Sequence, residues 1–207
     1  KRIRTGFVAR EGRTLVSADY AQFELRLAAV LAGDEKLIKA FSENVDIHTK
    51  TAAEVFNIPM EQVTKSQRRA AKIINFGVMY GMSPKGLSDA ADMSFVEAKQ
   101  FIDDYFKVRQ PIKNYLDRTL EQARNLGYVE TFFGRKRPTP DVKSANYIVR
   151  TAAERAAQNM PIQGTEADLM KRAMIQVDKM LSTKFMGRAD LVLQIHDSLI
   201  IDRKSTR

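Results

Sequence analysis

Leu25, Ala28, Ala29 and Ala32 recur at helical spacing behind a short apolar run, residues 14–18, that ends in Asp19. The chain is therefore expected to open with a strand and then enter a helix from about Gln22, which Gly33 stops. A second helix is expected over 35–43, and Asp46 can cap a third that runs through Ala52 and Phe56 until Pro59 terminates it. Ser66 is placed to cap a longer helix reaching Tyr80, with Gly81 beyond it. Ser94 and Glu97 form a capping-box pattern ahead of Phe101, Ile102, Tyr105 and Phe106. Pro111 opens a further helix with Ile112, Tyr115, Leu116, Leu120 and Ala123 on its inner face, and Gly127 closes it. A strand-like stretch over 128–133 and a basic loop over 134–138 follow. From about Ser144 a helix is expected to Met160, broken by Pro161 and resuming near Thr165 with Leu169, Ala173, Val177 and Leu181 along one face. Residues 191–195 and 199–201 are apolar β-type runs around His196, Asp197 and Ser198, the pattern of a hairpin with an acid at its tip.

The pattern describes an α+β, mainly helical chain. Its 207 residues, 44% apolar and 29% charged, are enough for a buried core. A net charge of +9 points to a polyanionic partner, nucleic acid before membrane. With no cysteine, disulfides and thiolate chemistry are excluded, and the two histidines, His48 and His196, form no zinc motif. No apolar run approaches the length of a membrane span, and residues 1–12 lack the apolar stretch of a signal peptide.

Three groups of residues could carry chemistry. If the strand before Asp19 pairs with the hairpin around Asp197, both carboxylates stand at the edge of one small sheet. Two acids so close repel unless a cation lies between them, which suits a pair of Mg²⁺ ions; two solvated turn acids are the plainer alternative. Arg68, Lys72, Phe76 and Tyr80 recur every four residues, a stripe of two cations and then two rings. That order matches the phosphates, sugar and base of a nucleoside triphosphate, while Ala71, Ile74 and Val78 on another face would pack the helix down. An ordinary amphipathic helix has the same pattern. Arg155, Asn159 and Gln163 repeat the spacing of four and suit phosphates or minor-groove base edges, or else a plain polar face.

At this point the residues resemble a known family. The run Asp19-Tyr20-Ala21-Gln22-Phe23-Glu24-Leu25-Arg26 is similar to motif A of the family A DNA polymerases, the bacterial DNA polymerase I type. The run from Arg68 to Gly81, with Lys72, Asn75, Phe76 and Tyr80 in place, resembles motif B of the fingers helix, and Gln194-Ile195-His196-Asp197 resembles motif C. The resemblance implies that Asp19, Asp197 and the backbone carbonyl of Tyr20 hold two Mg²⁺ ions, for which Mn²⁺ could substitute. Arg68 and Lys72 would grip the incoming deoxynucleoside triphosphate, Lys72 also acting as proton donor to the leaving group. Gln22 and His48 would add nucleotide contacts, Phe76 and Tyr80 would flank sugar and base, and Glu24 would occupy the space of a ribose 2′ hydroxyl. Arg155, Asn159, Gln163 and His196 would touch primer-template DNA.

The implied architecture is a small antiparallel palm sheet with an inserted helical fingers subdomain: palm over 1–21, fingers over 22–150, palm again over 151–207. Thumb and exonuclease domains are expected to be absent, and duplex binding correspondingly weak. The implied activity is template-directed DNA synthesis by a two-metal nucleotidyl transfer. A monomer in the cytoplasm of a bacterial or phage-infected cell, acting with the DNA, is the corresponding expectation. Motif C departs from the family pattern at Ser198, where a Glu is usual, and weaker metal handling is expected there. The alternative function is a degenerate or truncated palm that binds nucleic acid or nucleotide without efficient catalysis. A nuclease or phosphatase could also use the two acids, but would not need the stripe.

Overall fold

The structure is a computed structural model that describes residues 5–77 and 80–205. Along the described residues the chain runs β1 (Arg13–Asp19), α1 (Phe23–Ala32), α2 (Glu35–Ser42), α3 (Ile47–Phe56), α4 (Lys65–Gly77), α5 (Pro84–Ala91), α6 (Phe95–Val108) and α7 (Gln110–Leu126), then β2 (Tyr128–Glu130), β3 (Lys136–Pro138), α8 (Tyr147–Lys184), β4 (Ala189–Ile195) and β5 (Ser198–Lys204). The expected mixture of many helices with small antiparallel sheets is what the chain adopts. Contacts divide it into two compact units, one of Lys1–Phe23 with Glu166–Arg207, the other of Glu24–Thr165.

The first unit is built on an antiparallel sheet in the order β1-β5-β4. Asp19 pairs with Ser198 at one end of the β1 and β5 ladder, and Arg13 with Lys204 at the other. A register shift between Leu191 and Leu193 leaves Val192 as the extra residue of a bulge in β4. Arg10 and Arg13 clamp the end remote from Asp19: Arg10 Nε donates to Asp202 at 2.6 Å and Arg13 Nη2 to Asp190 at 2.8 Å. One face of the sheet, with Leu15, Leu193, Ile195 and Ile200, borders an open cavity of about 600 Å³ together with Phe7 and Val8.

The second unit is helical, and its core draws Leu25, Leu37, Ile47, Ile74, Leu87, Tyr105, Ile112 and Ile162 from successive helices. Asp46 caps α3 by accepting from the backbone N–H of His48 and Thr49, and Ser94 with Glu97 closes the capping box of α6, both as the sequence suggests. Gly127, at φ +75°, ends α7 as expected.

Several local expectations are corrected. Helix α4 starts at Lys65, because Thr64 and Gln67 form its capping box: Gln67 N donates to Thr64 Oγ1 at 3.2 Å and Thr64 N to Gln67 Oε1 at 2.9 Å. Helix α3 ends at Asn57, whose left-handed φ of 52° stops it before Pro59 is reached. The expected basic loop contains β3, which pairs with β2 across a turn closed by Gly134 N donating to Thr131 O at 2.9 Å. Helix α5, with Ser83 as cap and Pro84 in its first turn, was not foreseen although both signals are local.

The largest correction concerns Pro161, which lies inside a continuous α8. A proline forfeits one helical hydrogen bond, but packing on both sides of it holds the helix together. Ala157 and Met160 join Ala123, Val129 and Val142 in a second cluster, and Ile162 enters the main core. Thr165 Oγ1 donates back to the Pro161 carbonyl at 2.5 Å and accepts from Phe132 N at 2.9 Å. The division between the two compact units falls after Thr165, inside this helix.

Candidate active site

In the first unit, backbone register places the acids. Asp19 is the last residue of β1, opposite Ser198, and Asp197 immediately precedes Ser198 in the two-residue turn that joins β4 to β5. His196 takes the left-handed conformation in that turn, φ 53°, with its carbonyl held by Gln194 Nε2 at 2.8 Å. Tyr20 N donates to the Asp197 carbonyl at 3.4 Å, so Asp19, Tyr20 and Asp197 occupy one end of the sheet. Among the described residues neither carboxylate forms an ion pair or a hydrogen bond. Asp19 is exposed and Asp197 partly so. The Tyr20 ring stacks on Phe23, centroids 4.6 Å apart, and Gln22 between them has φ 55° where the chain leaves the strand.

The two carboxylates and the Tyr20 carbonyl are hard oxygen donors of the kind that could hold a divalent metal ion. No cluster of three ligating side chains occurs among the described residues. Ser198, opposite Asp19, contributes no carboxylate.

In the second unit α4 carries Arg68, Lys72 and Phe76 on one stripe. Tyr80 belongs to a 3₁₀ turn beyond the α-helix, and Val78, expected to pack the helix down, lies outside the described residues. Ala71 and Ile74 are wholly buried, which holds the stripe outward. Arg68 is not a free cation, because its Nε donates to Asp46 Oδ2 at 2.7 Å. Burial would raise the Asp46 pKa, but the hydrogen bonds from Arg68 and Thr49 outweigh it and bring the carboxyl down to about 2. Lys72 is exposed and has no ion-pair partner among the described residues.

His48, 4% exposed, packs its ring 5.8 Å from that of Phe76, and Asn75 Nδ2 lies 3.2 Å from its Nδ1. Burial pushes the His48 pKa below its ordinary value; Asp46 opposes the shift, and the charges of Arg68 and Lys72 reinforce it. Glu24 accepts a short hydrogen bond from the Tyr80 hydroxyl, and the two line a narrow cleft with Asn159, Ile162 and Gln163. Arg155 is close by in the same unit: its Cγ and Cδ lie 2.7 Å from where a side chain on Gly81 would begin. Asn159 Oδ1 is sealed from solvent without a partner among the described residues.

The expected site residues therefore fall into groups. Asp19, Tyr20, Gln22, His196 and Asp197 belong to the first unit. In the second, His48, Arg68, Lys72 and Phe76 sit on α3 and α4, and Glu24, Tyr80, Arg155, Asn159 and Gln163 lie around the cleft. Sequence reading missed Asp46 as the partner of Arg68, and Thr51, Glu54 and Arg109 behind His48. Asp46 was legible as a cap only, and a buried arginine leaves no periodic signal.

Comparison with known proteins then places the chain. A family model described as DNA polymerase family A matches residues 1–207. DNA polymerase I, thermostable, from Thermus aquaticus is 49% identical over 207 residues, covering 100% of this chain and 24% of that protein. DNA polymerase I from Pseudomonas aeruginosa is 48% identical over 202 residues, covering 98% of this chain and 22% of that protein. The POL domain of Pol1 from M. smegmatis, solved in complex with DNA primer-template and dNTP, superposes with a TM-score of 0.87 at 41% identity, over 98% of this chain and 36% of that one. The chain thus spans about a quarter of the length of these curated relatives.

Proposed function

The chain belongs to DNA polymerase family A, and from that premise we propose that it carries the nucleotidyl-transfer centre of template-directed DNA synthesis, with the acid-bearing sheet as palm and the helical unit as fingers. The observation that carries this reading is the pair of carboxylates, Asp19 and Asp197, unpartnered among the described residues and brought to one sheet edge by the β1 and β5 register and the β4 to β5 turn. The relative solved with primer-template and dNTP supports the choice of substrates.

In the reaction the primer 3′ oxygen attacks the α-phosphorus of a deoxynucleoside triphosphate in line, a new P–O bond forms, the bond to the β-phosphate breaks, and pyrophosphate leaves. Asp19, the Tyr20 carbonyl and Asp197 would hold Mg²⁺, which when bound lowers the pKa of the primer hydroxyl and neutralises the triphosphate. Lys72, exposed and without an ion-pair partner among the described residues, holds a proton that it can donate to the departing pyrophosphate. Arg68, oriented by Asp46, offers guanidinium N–H groups to the phosphates. Phe76 provides a ring face for the sugar and base, with Gln22 and His48 as further contacts. Glu24, fixed by Tyr80, fills space that a ribose 2′ hydroxyl would need. Arg155, Asn159, Gln163 and His196 contact the primer-template without reading its sequence. The active form is a monomer working on DNA in the cytoplasm.

Primer extension with all four deoxynucleotides and Mg²⁺ at low salt tests the proposal, low salt strengthening the phosphate contacts. Extension is expected, falling at least about a hundredfold in Asp197→Ala, the scale on which one charge-stabilising group acts. No extension by a folded chain that binds the duplex would favour binding without catalysis, the reading that Ser198 in place of a third acid supports.

A further inference from the structure

His48 uses one ring nitrogen inside the protein, Nδ1, which faces Asn75 Nδ2 at 3.2 Å. An amide nitrogen carries hydrogens and offers no lone pair, so Nδ1 accepts and a neutral ring keeps its proton on Nε2. Which way the Asn75 amide points therefore decides the tautomer. Thr51 contacts both ends of that amide: its hydroxyl donates to Asn75 Oδ1 at 3.3 Å and accepts from Asn75 Nδ2 at 3.2 Å. Thr51 is governed in its turn by Arg109, whose Nη2 donates to Thr51 Oγ1 at 3.5 Å and to Glu54 Oε2 at 2.5 Å. A guanidinium can only donate, so Thr51 Oγ1 must receive from it and send its single proton to Asn75. The contact of Asn75 Nδ2 with Nδ1 is thus the one that selects the tautomer, and Thr51 and Arg109 anchor the amide behind it.

Packing alone does not call for this arrangement. Arg109 is 0% exposed, and its Nε and Nη1 are sealed without a partner among the described residues. Burying a cation on those terms is costly, and an apolar side chain of similar volume would fill the space more cheaply. Nε2 of His48, by contrast, has no protein partner among the described residues and remains free to engage a ligand.

We propose that Arg109, Thr51 and Asn75 are positioning residues that hold His48 as the Nε2–H tautomer, so that the ring presents a donor to an oxygen of the incoming nucleotide. The opposite tautomer would present a lone pair to that oxygen and repel it. This inference rests on the proposed role of α3 and α4 in nucleotide binding. The depressed His48 pKa keeps the ring neutral near pH 7, the condition under which its tautomer matters.

The test is ¹⁵N NMR of the histidine-labelled chain above pH 7, with the two rings assigned through His196→Gln. Nδ1 of His48 is expected to resonate as an unprotonated nitrogen and Nε2 as a protonated one; a protonated Nδ1 overturns the proposal without any substitution at the relay. Asn75→Asp replaces the donor with an acceptor and should invert the pattern. Arg109→Met and Thr51→Val should each shift Nδ1 toward the mixture of tautomers seen for free histidine, and Thr51→Ser should restore it. Unchanged spectra in folded Asn75→Asp or Arg109→Met protein would show that the relay sets nothing. Adding dTTP with Mg²⁺ separates the two layers: Nε2 is expected to shift. A tautomer held as described with an Nε2 that ignores dTTP would leave the relay standing, while removing both its role toward nucleotide and the nucleotide reading of this face.

Discussion

The sheet edge with the two acids and the helical face around His48 are built by opposite means. In the first, backbone pairing does the positioning: Asp19 and Asp197 are set by the ladder and the turn, and their side chains are without partners among the described residues. In the second, side chains do it. His48 stands on a closed core and is reached through Asn75, Thr51 and Arg109. A group that is to be neutralised by a ligand's cation can be left bare, because the cation itself orders it. A group that must offer one hydrogen in one direction needs neighbours that decide its protonation beforehand.

That contrast can be broken by stability measurements. Ile74→Ala removes a side chain that is 0% exposed beneath the α4 stripe and should cost about 2–5 kcal/mol. Val16→Ala on β1, where the side chain is 36% exposed, should cost under about 1 kcal/mol. Urea midpoints of the two variants check this, and equal losses would mean that the sheet edge depends on side-chain packing as much as the helical face does. Next in size is Gly81→Ala. At φ +64° an alanine is strained by about 1–2 kcal/mol, and its Cβ would lie 2.7 Å from Arg155 Cδ. Both a lower midpoint and weaker duplex binding through a displaced Arg155 are expected; unchanged duplex affinity would detach Arg155 from the interface.

A further effect concerns Asp46. Asp46→Ala should lose about 1 kcal/mol of helix capping, and the loss has a pH signature. The folded-state pKa is depressed from 3.8 to about 2, so the charge-linked contribution is present above about 3.8 and disappears as pH falls through about 2. Parent and variant midpoints should therefore converge across that acid window and stay parallel above it. A gap that persists to the lowest pH would mean that Asp46 acts by shape alone.

Much of the fold was legible because its signals are local. The strand before Asp19, the caps at Asp46 and Ser94, and Gly127 are each read from a few neighbouring residues. Pro161 misled for the same reason: a local breaker was overruled by tertiary packing of Ala157, Met160 and Ile162, which no window around the proline contains. The Thr64 and Gln67 box is equally local, and its reciprocal bonds cap the helix in place of Ser66. At the site, the acids and the stripe stood out by residue type and spacing. Arg109 and Thr51 did not, since a polar network buried between helices α3, α4 and the start of α7 has neither period nor motif; only coordinates join residues so far apart along the chain.

The central claim, that this centre adds nucleotides as a template directs, is tested most directly by single-nucleotide addition. Four duplexes differing only in the first unpaired template base are each offered one deoxynucleotide at a time with Mg²⁺. The account predicts that each primer grows by the complementary nucleotide and that growth disappears in Asp19→Ala and Asp197→Ala. Addition that ignores the template base, or a primer that shortens, would contradict it.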